Sequence, residues 1–212
     1  MKIRIKILVP FFMIAVSIFS CSPPSQTEKE LRETINKPIH LEMFETLRHT
    51  NNLLSFNELR QQYDYLSVVY LQNGCQPCYP KFIEWQQMAD SLNYPDNYSV
   101  LFVIQGNSYE GFMNEVLNID YVEDRYYTNM DPEYEFLEAN KDIPRWIIDA
   151  SVLIDAENKI KMVGAPWLNE DMTQLFYEIV NKDHKLSLSS FCEILDVDTM
   201  HLVLYELETE TA

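Results

Sequence analysis

Positive charge is scarce in this chain, with 16 Lys and Arg against 33 Asp and Glu in 212 residues and a formal net charge of −17 at pH 7. A surface that acidic repels phosphate backbones and argues against nucleic acid as a partner. Nor does it offer a polybasic patch to grip anionic lipid. Cysteine is also scarce, with Cys21, Cys75, Cys78 and Cys192 making the full set of four. No internal repeat is apparent, and the apolar run from Ile7 to Phe19 is too short for a transmembrane span. His40, His49, His184 and His201 are scattered, at no spacing that suggests a shared metal.

What is present centres on Asn73-Gly74-Cys75-Gln76-Pro77-Cys78. Before it, Tyr65 to Leu71 is rich in β-branched and aromatic residues, the composition of a buried strand. After it, Phe82, Trp85, Met88, Ala89 and Leu92 recur at spacings of three and four, as on one face of an amphipathic helix. This order places Cys75 at a helix N-terminus and Cys78 one turn further in. Unpaired N–H groups and the helix dipole favour an anion there and lower the pKa of a thiol. Cys75 is then the attacking thiolate, and Cys78, three residues on, is within reach to resolve a mixed disulfide. Gln76 and Pro77 shape the turn between them. Two other readings of the pair stay open, a zinc half-site and an inert structural disulfide.

The order of elements around this pair resembles the thioredoxin-like superfamily, and specifically the membrane-tethered disulfide reductases of bacteria and their lipoprotein relatives. The resemblance covers about residues 50 to 182. It implies an α/β fold with a central mixed β-sheet flanked by helices, a redox disulfide between Cys75 and Cys78, and no cofactor or metal. The threonine and proline that precede the cysteine of peroxide-handling relatives are missing.

At the start of the chain, Lys2, Arg4 and Lys6 precede the apolar run in the order of a secretory signal. Ile18-Phe19-Ser20-Cys21 then matches the lipobox of bacterial lipoproteins, so Cys21 is the expected lipid attachment site. Cleavage before Cys21 removes three positive charges and no acid, which takes the net charge from −17 to −20. Residues 1–20 read as the signal peptide, 21–38 as a lipidated flexible tether, 39–182 as the thioredoxin-like domain and 183–212 as a C-terminal extension. An ordinary cleaved signal or short anchor is the plainer alternative for the first segment.

Along the domain, Ile39 to Phe44 reads as an edge strand, and Ser55 with Glu58 as a capping box opening a short helix over Phe56, Leu59 and Tyr63. Tyr98 to Ile104 is a second central strand, and Phe112, Met113, Val116 and Leu117 mark the helix after it. Tyr121 to Met130 holds a short strand, and Asp131-Pro132 opens a brief helix through Ala139. Ser151 to Gly164 reads as a β-hairpin, followed by a helix from Leu168 to Val180.

The resemblance also implies a cis-proline loop facing the disulfide just before the hairpin. Counting back, that position falls near Asp149, while the nearest proline is Pro144. Either Pro144 serves through a longer loop, or Asp149 or Ala150 faces the sulfurs, where a carboxylate would oppose thiolate formation. The buried acid that thioredoxins keep six residues before the first cysteine is here Val69, and the usual aromatic residue just before it is Gly74. Beyond Lys182 the match ends, and Cys192 is open to three readings: a buried thiol, a third redox partner or a dimer link.

The functional expectation is a lipid-anchored thiol:disulfide oxidoreductase in the bacterial cell envelope, facing the periplasm or cell surface. It acts on thiols or disulfides of exported proteins and draws electrons from a membrane donor of unspecified identity. The alternative, of another class, is a binding lipoprotein that keeps the pair as a structural disulfide.

Overall fold

A computed structural model describes residues 24–50, 52–88 and 95–181. The segment read as a signal peptide, Cys21, Cys192 and the stretch read as a C-terminal extension lie outside the described residues. The chain divides into a short unit, Met1–Glu33, and a large one, Thr34–Ala212. Among the described residues, no helix is long and apolar enough to cross a membrane.

Helix α1, Gln26–Thr34, occupies part of the segment expected to be a flexible tether. The correction has a local cause. Ser25 Oγ accepts from Glu28 N–H at 3.1 Å, and Glu28 and Arg32 pair one turn apart at 2.6 Å.

The large unit is built on one seven-stranded sheet. Its strands are β1 (Thr46–His49), β2 (Asn52–Ser55), β3 (Tyr65–Gln72), β4 (Tyr98–Gln105), β5 (Tyr127–Asp131), β6 (Val152–Ile154) and β7 (Ile160–Val163), in the order β2-β1-β5-β4-β3-β6-β7. Strands β3, β4 and β5 are parallel, with Val69 opposite Phe102 and Phe102 opposite Thr128. Strand β6 runs antiparallel to β3, and β7 antiparallel to β6. A β-α-β unit joined to a β-hairpin and a final helix, with the hairpin antiparallel to the first strand, is the thioredoxin-like arrangement.

The helices of this unit are α2 (Phe56–Gln62), α3 (Cys78–Met88), α4 (Tyr109–Ile119), α5 (Glu135–Ala139), α6 (Arg145–Ala150) and α7 (Glu170–Val180). Strands buried on both faces must be apolar on both, and β3 and β4 are. One face presents Val69, Leu71, Val100, Phe102 and Ile104 to Phe82 and Trp85 of α3, Phe112 of α4 and Phe176 of α7. On the other, Tyr70 stacks on Phe136 of α5, which stacks in turn on Phe44. Each such aromatic ring contributes roughly 1.5–3 kcal/mol on burial. Tyr98 turns a hydroxyl into this interior, where it donates to Ser67 Oγ at 2.8 Å, and burial pushes its phenol well above the usual tyrosine range.

Several expected elements differ. Ile39 to Phe44 is not a strand, although Ile39, Leu41 and Phe44 are all buried. His40 N–H donates to Asn140 Oδ1 at 2.7 Å, and Asn140 Nδ2 donates to His40 O at 2.9 Å, so one buried side chain satisfies what a neighbouring strand would. Phe44 N–H then closes a turn on Leu41 O at 3.1 Å, bringing Phe44 inward out of alternation. The edge is formed instead by the hairpin β1-β2. The brief helix opened by Asp131-Pro132 also starts later, at Glu135, because Asp131 belongs to β5 and reaches forward to accept from Glu135 and Phe136 N–H at 2.9 and 3.2 Å. The capping box at Ser55 and Glu58 is present, and hydrogen bonds from Ser55 hold the Glu58 carboxyl below the usual carboxylate range.

Candidate active site

Strand β3 delivers the chain to the C-terminal edge of the parallel strands, where Asn73 N–H donates to Gln105 O at 2.8 Å. The chain then turns sharply. Gly74 has φ +86°, a backbone that L side chains resist, and a Cβ there would meet nothing within 4 Å, so conformation alone calls for glycine. Gly106, at the end of β4, has φ +149° and a second reason besides: a Cβ would come within 2.8 Å of Asn73 Cβ. The two glycines let the ends of β3 and β4 close on each other.

Cys75 and Cys78 are joined in a disulfide, with Cα atoms 5.4 Å apart. Both are partly exposed, and Cys78 packs against the core beneath it. The expectation that Cys75 opens the helix is corrected, since α3 begins at Cys78 and Cys75 lies in the preceding turn. Pro77 supplies the reason, for it disfavours helical backbone at Gln76 and so delays the helix past itself. The earliest link is Cys78 N–H to Cys75 O at 3.1 Å, followed by Lys81 N–H to Pro77 O at 3.3 Å. Pro80 falls in the first turn, where its missing N–H would have had no intrahelical partner.

The delay changes the electrostatics. Cys78 is the first helical residue, and its Sγ accepts the backbone N–H of Gln72 at 3.3 Å. The bonded sulfurs both lie at the positive end of α3, with a backbone N–H fixed on Cys78 Sγ. Val69 is fully buried, so the strand position that thioredoxins give to an acid is apolar here.

Tyr79 is the residue that the sequence reading passed over. Its side chain is 2% exposed, its ring lies 5.1 Å from that of Phe112, and its hydroxyl reaches back over the turn. There it accepts from Gly74 N–H at 2.7 Å and donates to Asn73 Oδ1 at 3.2 Å. The sequence signal was an aromatic residue directly after the second cysteine, in the frame of the core-facing positions Phe82, Ile83 and Trp85.

Pro144 is the N-cap of α6 and Asp149 lies inside that helix, and no cis peptide bond occurs among the described residues. Asp149 is therefore part of a short helix, not of a proline loop. Its carboxylate is paired with Arg145 at 2.8 Å, and its carbonyl accepts from Lys81 Nζ of α3. Arg145 in turn lies over the Tyr70 ring, 4.8 Å from its centroid. Burial raises the Tyr70 phenol, with the Gln72 hydrogen bond and the Arg145 charge acting the other way. Gln76 and Pro77 are exposed beside the disulfide. Among the described residues, no group of three or more His, Cys, Asp or Glu side chains is arranged to hold a metal ion.

The chemistry within reach is thiol–disulfide exchange at a partly exposed cysteine pair on a thioredoxin-like sheet. Among solved structures, the thioredoxin domain of a thiol-disulfide oxidoreductase from Bacteroides vulgatus is similar, at 15% identity and a TM-score of 0.49 over 69% of this chain and 98% of that one. A thioredoxin from Wuchereria bancrofti has 14% identity and a TM-score of 0.47 over 72% and 97%. A thiol-disulfide oxidoreductase from Bacteroides fragilis has 14% identity and a TM-score of 0.46 over 66% and 99%. No protein-family model and no curated protein matches the chain.

Proposed function

We propose that the protein is a thiol:disulfide oxidoreductase, anchored by lipid at Cys21 in the bacterial cell envelope and acting on disulfides of exported proteins. The observation that carries this reading is the placement of Cys75 and Cys78, bonded to each other at the junction of a central strand and a helix and reachable from solvent. A disulfide closing so short a loop adds little stability, so a purely structural purpose explains it poorly.

In the reductive direction, the Cys75 thiolate attacks one sulfur of a substrate disulfide. A mixed disulfide forms, and the displaced substrate thiolate takes a proton from solvent. Cys78, having lost its proton, attacks Cys75 Sγ, forms the Cys75–Cys78 bond and releases the second substrate thiolate. The substrate gains two electrons, which the pair gives up. A dithiol donor outside this chain, of the kind a membrane electron carrier presents, returns them. The Gln72 N–H steadies Cys78 both when it attacks and, in the reverse direction, when it leaves.

Replacing Cys78 with Ser removes the resolving sulfur, so Cys78→Ser expressed in an exporting host should accumulate intermolecular adducts, seen as reducible high-mass species after an acid quench. Cys75→Ser should abolish them, and Cys192→Ser in the same background tells whether Cys192 is the trapped partner. Mass spectrometry of the N-terminal peptide from those membranes should show an acylated Cys21. If Cys78→Ser traps nothing while the native pair is oxidised, the protein is better read as a binding lipoprotein with a structural disulfide.

A further inference from the structure

The buried hydroxyl of Tyr79 links two parts of the chain that share one task. Cys78 and Tyr79 begin helix α3, whereas Cys75 follows Asn73 and Gly74 in the turn. Tyr79 accepts from Gly74 N–H and donates to Asn73 Oδ1, and thereby ties the turn bearing one sulfur to the helix bearing the other. The ring itself cannot shift to follow a moving turn, because it is buried against Phe112.

We infer that Tyr79 is a positioning residue that sets the thiol–disulfide equilibrium of the Cys75–Cys78 pair by holding the Cys75 turn in place when the bond is open. In the oxidised protein the covalent bond fixes the distance between the two residues. In the dithiol that restraint is gone, and the hydroxyl works with the Cys78 N–H to Cys75 O bond to keep Gly74 and Cys75 against the start of α3. Holding reacting groups together raises their effective concentration, so ring closure is favoured while the tie is intact. The tie is neutral, and it therefore confines Cys75 without placing a carboxylate beside a sulfur that must ionise. The inference rests on the oxidoreductase reading but concerns an equilibrium, which is measured without any physiological substrate.

The experiment equilibrates the purified full-length protein with reduced and oxidised glutathione and reads the fraction of dithiol by alkylation and mass. Two glutathione thiols become one glutathione disulfide as the protein disulfide takes up two electrons and two protons. Tyr79→Phe deletes only the hydroxyl. Its equilibrium constant for disulfide formation should fall about five- to tenfold, which is roughly 20 to 30 mV toward the oxidising side. Tyr98→Phe is the control, since it deletes another buried hydroxyl, bonded to Ser67 at 2.8 Å and away from the turn. It should cost similar stability and leave the equilibrium unchanged.

Asn73→Ala, which removes one of the two bonds, should shift the constant in the same direction by less, and it stands in if Tyr79→Phe folds poorly. Shifts below twofold in both turn variants, or an equal shift in Tyr98→Phe, would overturn the inference and leave the oxidoreductase reading standing. A native pair that does not exchange with glutathione at all would overturn both.

Discussion

Two turns lie at opposite ends of β3 and are held by different chemistry. The turn after Gln72 carries Cys75 and is anchored by neutral groups, the Tyr79 hydroxyl and the Asn73 amide. The turn after Ile154, which pairs with Leu66 at the other end, is anchored by charge. There Asp155 Oδ1 accepts from Glu157 and Lys159 N–H at 3.0 and 2.9 Å, its carboxylate meets Lys161 at 2.9 Å, and Arg60 donates to its carbonyl at 2.5 Å. A carboxylate close to a thiol raises the thiol pKa, whereas a hairpin with no chemistry to perform is free to use one. The difference teaches that an anchor beside a reactive sulfur is chosen for what it leaves undisturbed as well as for what it holds.

The comparison is broken most forcefully at the charged end. Arg60 is partly buried, and burial lowers its guanidinium pKa against the opposing charges of Asp155, Asp64 and Glu157. Arg60→Ala strips the carbonyl of Asp155 of its charged donor and should cost about 2 kcal/mol, a value typical of hydrogen bonds to charged groups. Urea denaturation should show this loss with the glutathione equilibrium of the cysteine pair unmoved. A shifted equilibrium would mean that the two ends of β3 are coupled.

At the sulfur end, Gly74→Ala puts a side chain on a backbone with φ +86° while clashing with nothing. The cost should be about 1 kcal/mol, all of it conformational, and Gly74→Asn should cost less because Asn tolerates the left-handed region. Equal losses for Ala and Asn would show that space, not conformation, selects glycine.

The smallest effect concerns pH. Burial would raise the Asp155 carboxyl, but hydrogen bonds from Lys161, Lys159 and Glu157 and the Lys161 charge outweigh it, so the folded pKa is lowered. A lowered carboxylate pKa stabilises the fold above the unfolded value of about 4 and is lost as pH falls through the folded value. Asp155→Asn keeps an acceptor for the turn and deletes the charge, so it should be less stable than native by about 0.5 kcal/mol at pH 7. Thermal unfolding should show the two proteins converging below about pH 4. A constant gap would assign the effect to hydrogen bonding alone.

Elements whose signal is local were legible in the sequence. Tyr65–Gln72 and Tyr98–Gln105 announced themselves as central strands because burial on both faces demands mostly apolar residues, interrupted here only by Ser67 and Ser99 before the terminal Gln72 and Gln105. The capping box at Ser55 and the face of α7 needed only near neighbours. The cysteine pair was legible for the same reason, as its spacing and its strand and helix flanks all lie within one stretch of chain.

Tertiary structure decided much of the rest. A side chain 100 residues away, Asn140, took the backbone partners of His40 and removed the expected strand over Ile39–Phe44. The start of α3 moved to Cys78 because Pro77 restrains Gln76, a signal present in the sequence but outweighed there by the helical spacing that follows. Helix α6 occupies the stretch for which the sequence left open a Pro144 loop or an Asp149 or Ala150 facing the sulfurs, with Asp149 held between Arg145 of its own helix and Lys81 of α3. The bonds of Tyr79 were hidden because periodicity places a ring in the core but does not say where its hydroxyl ends. Hydrophobic pattern fixes which face of an element is buried, whereas the partner of a polar group depends on what the rest of the chain brings to meet it.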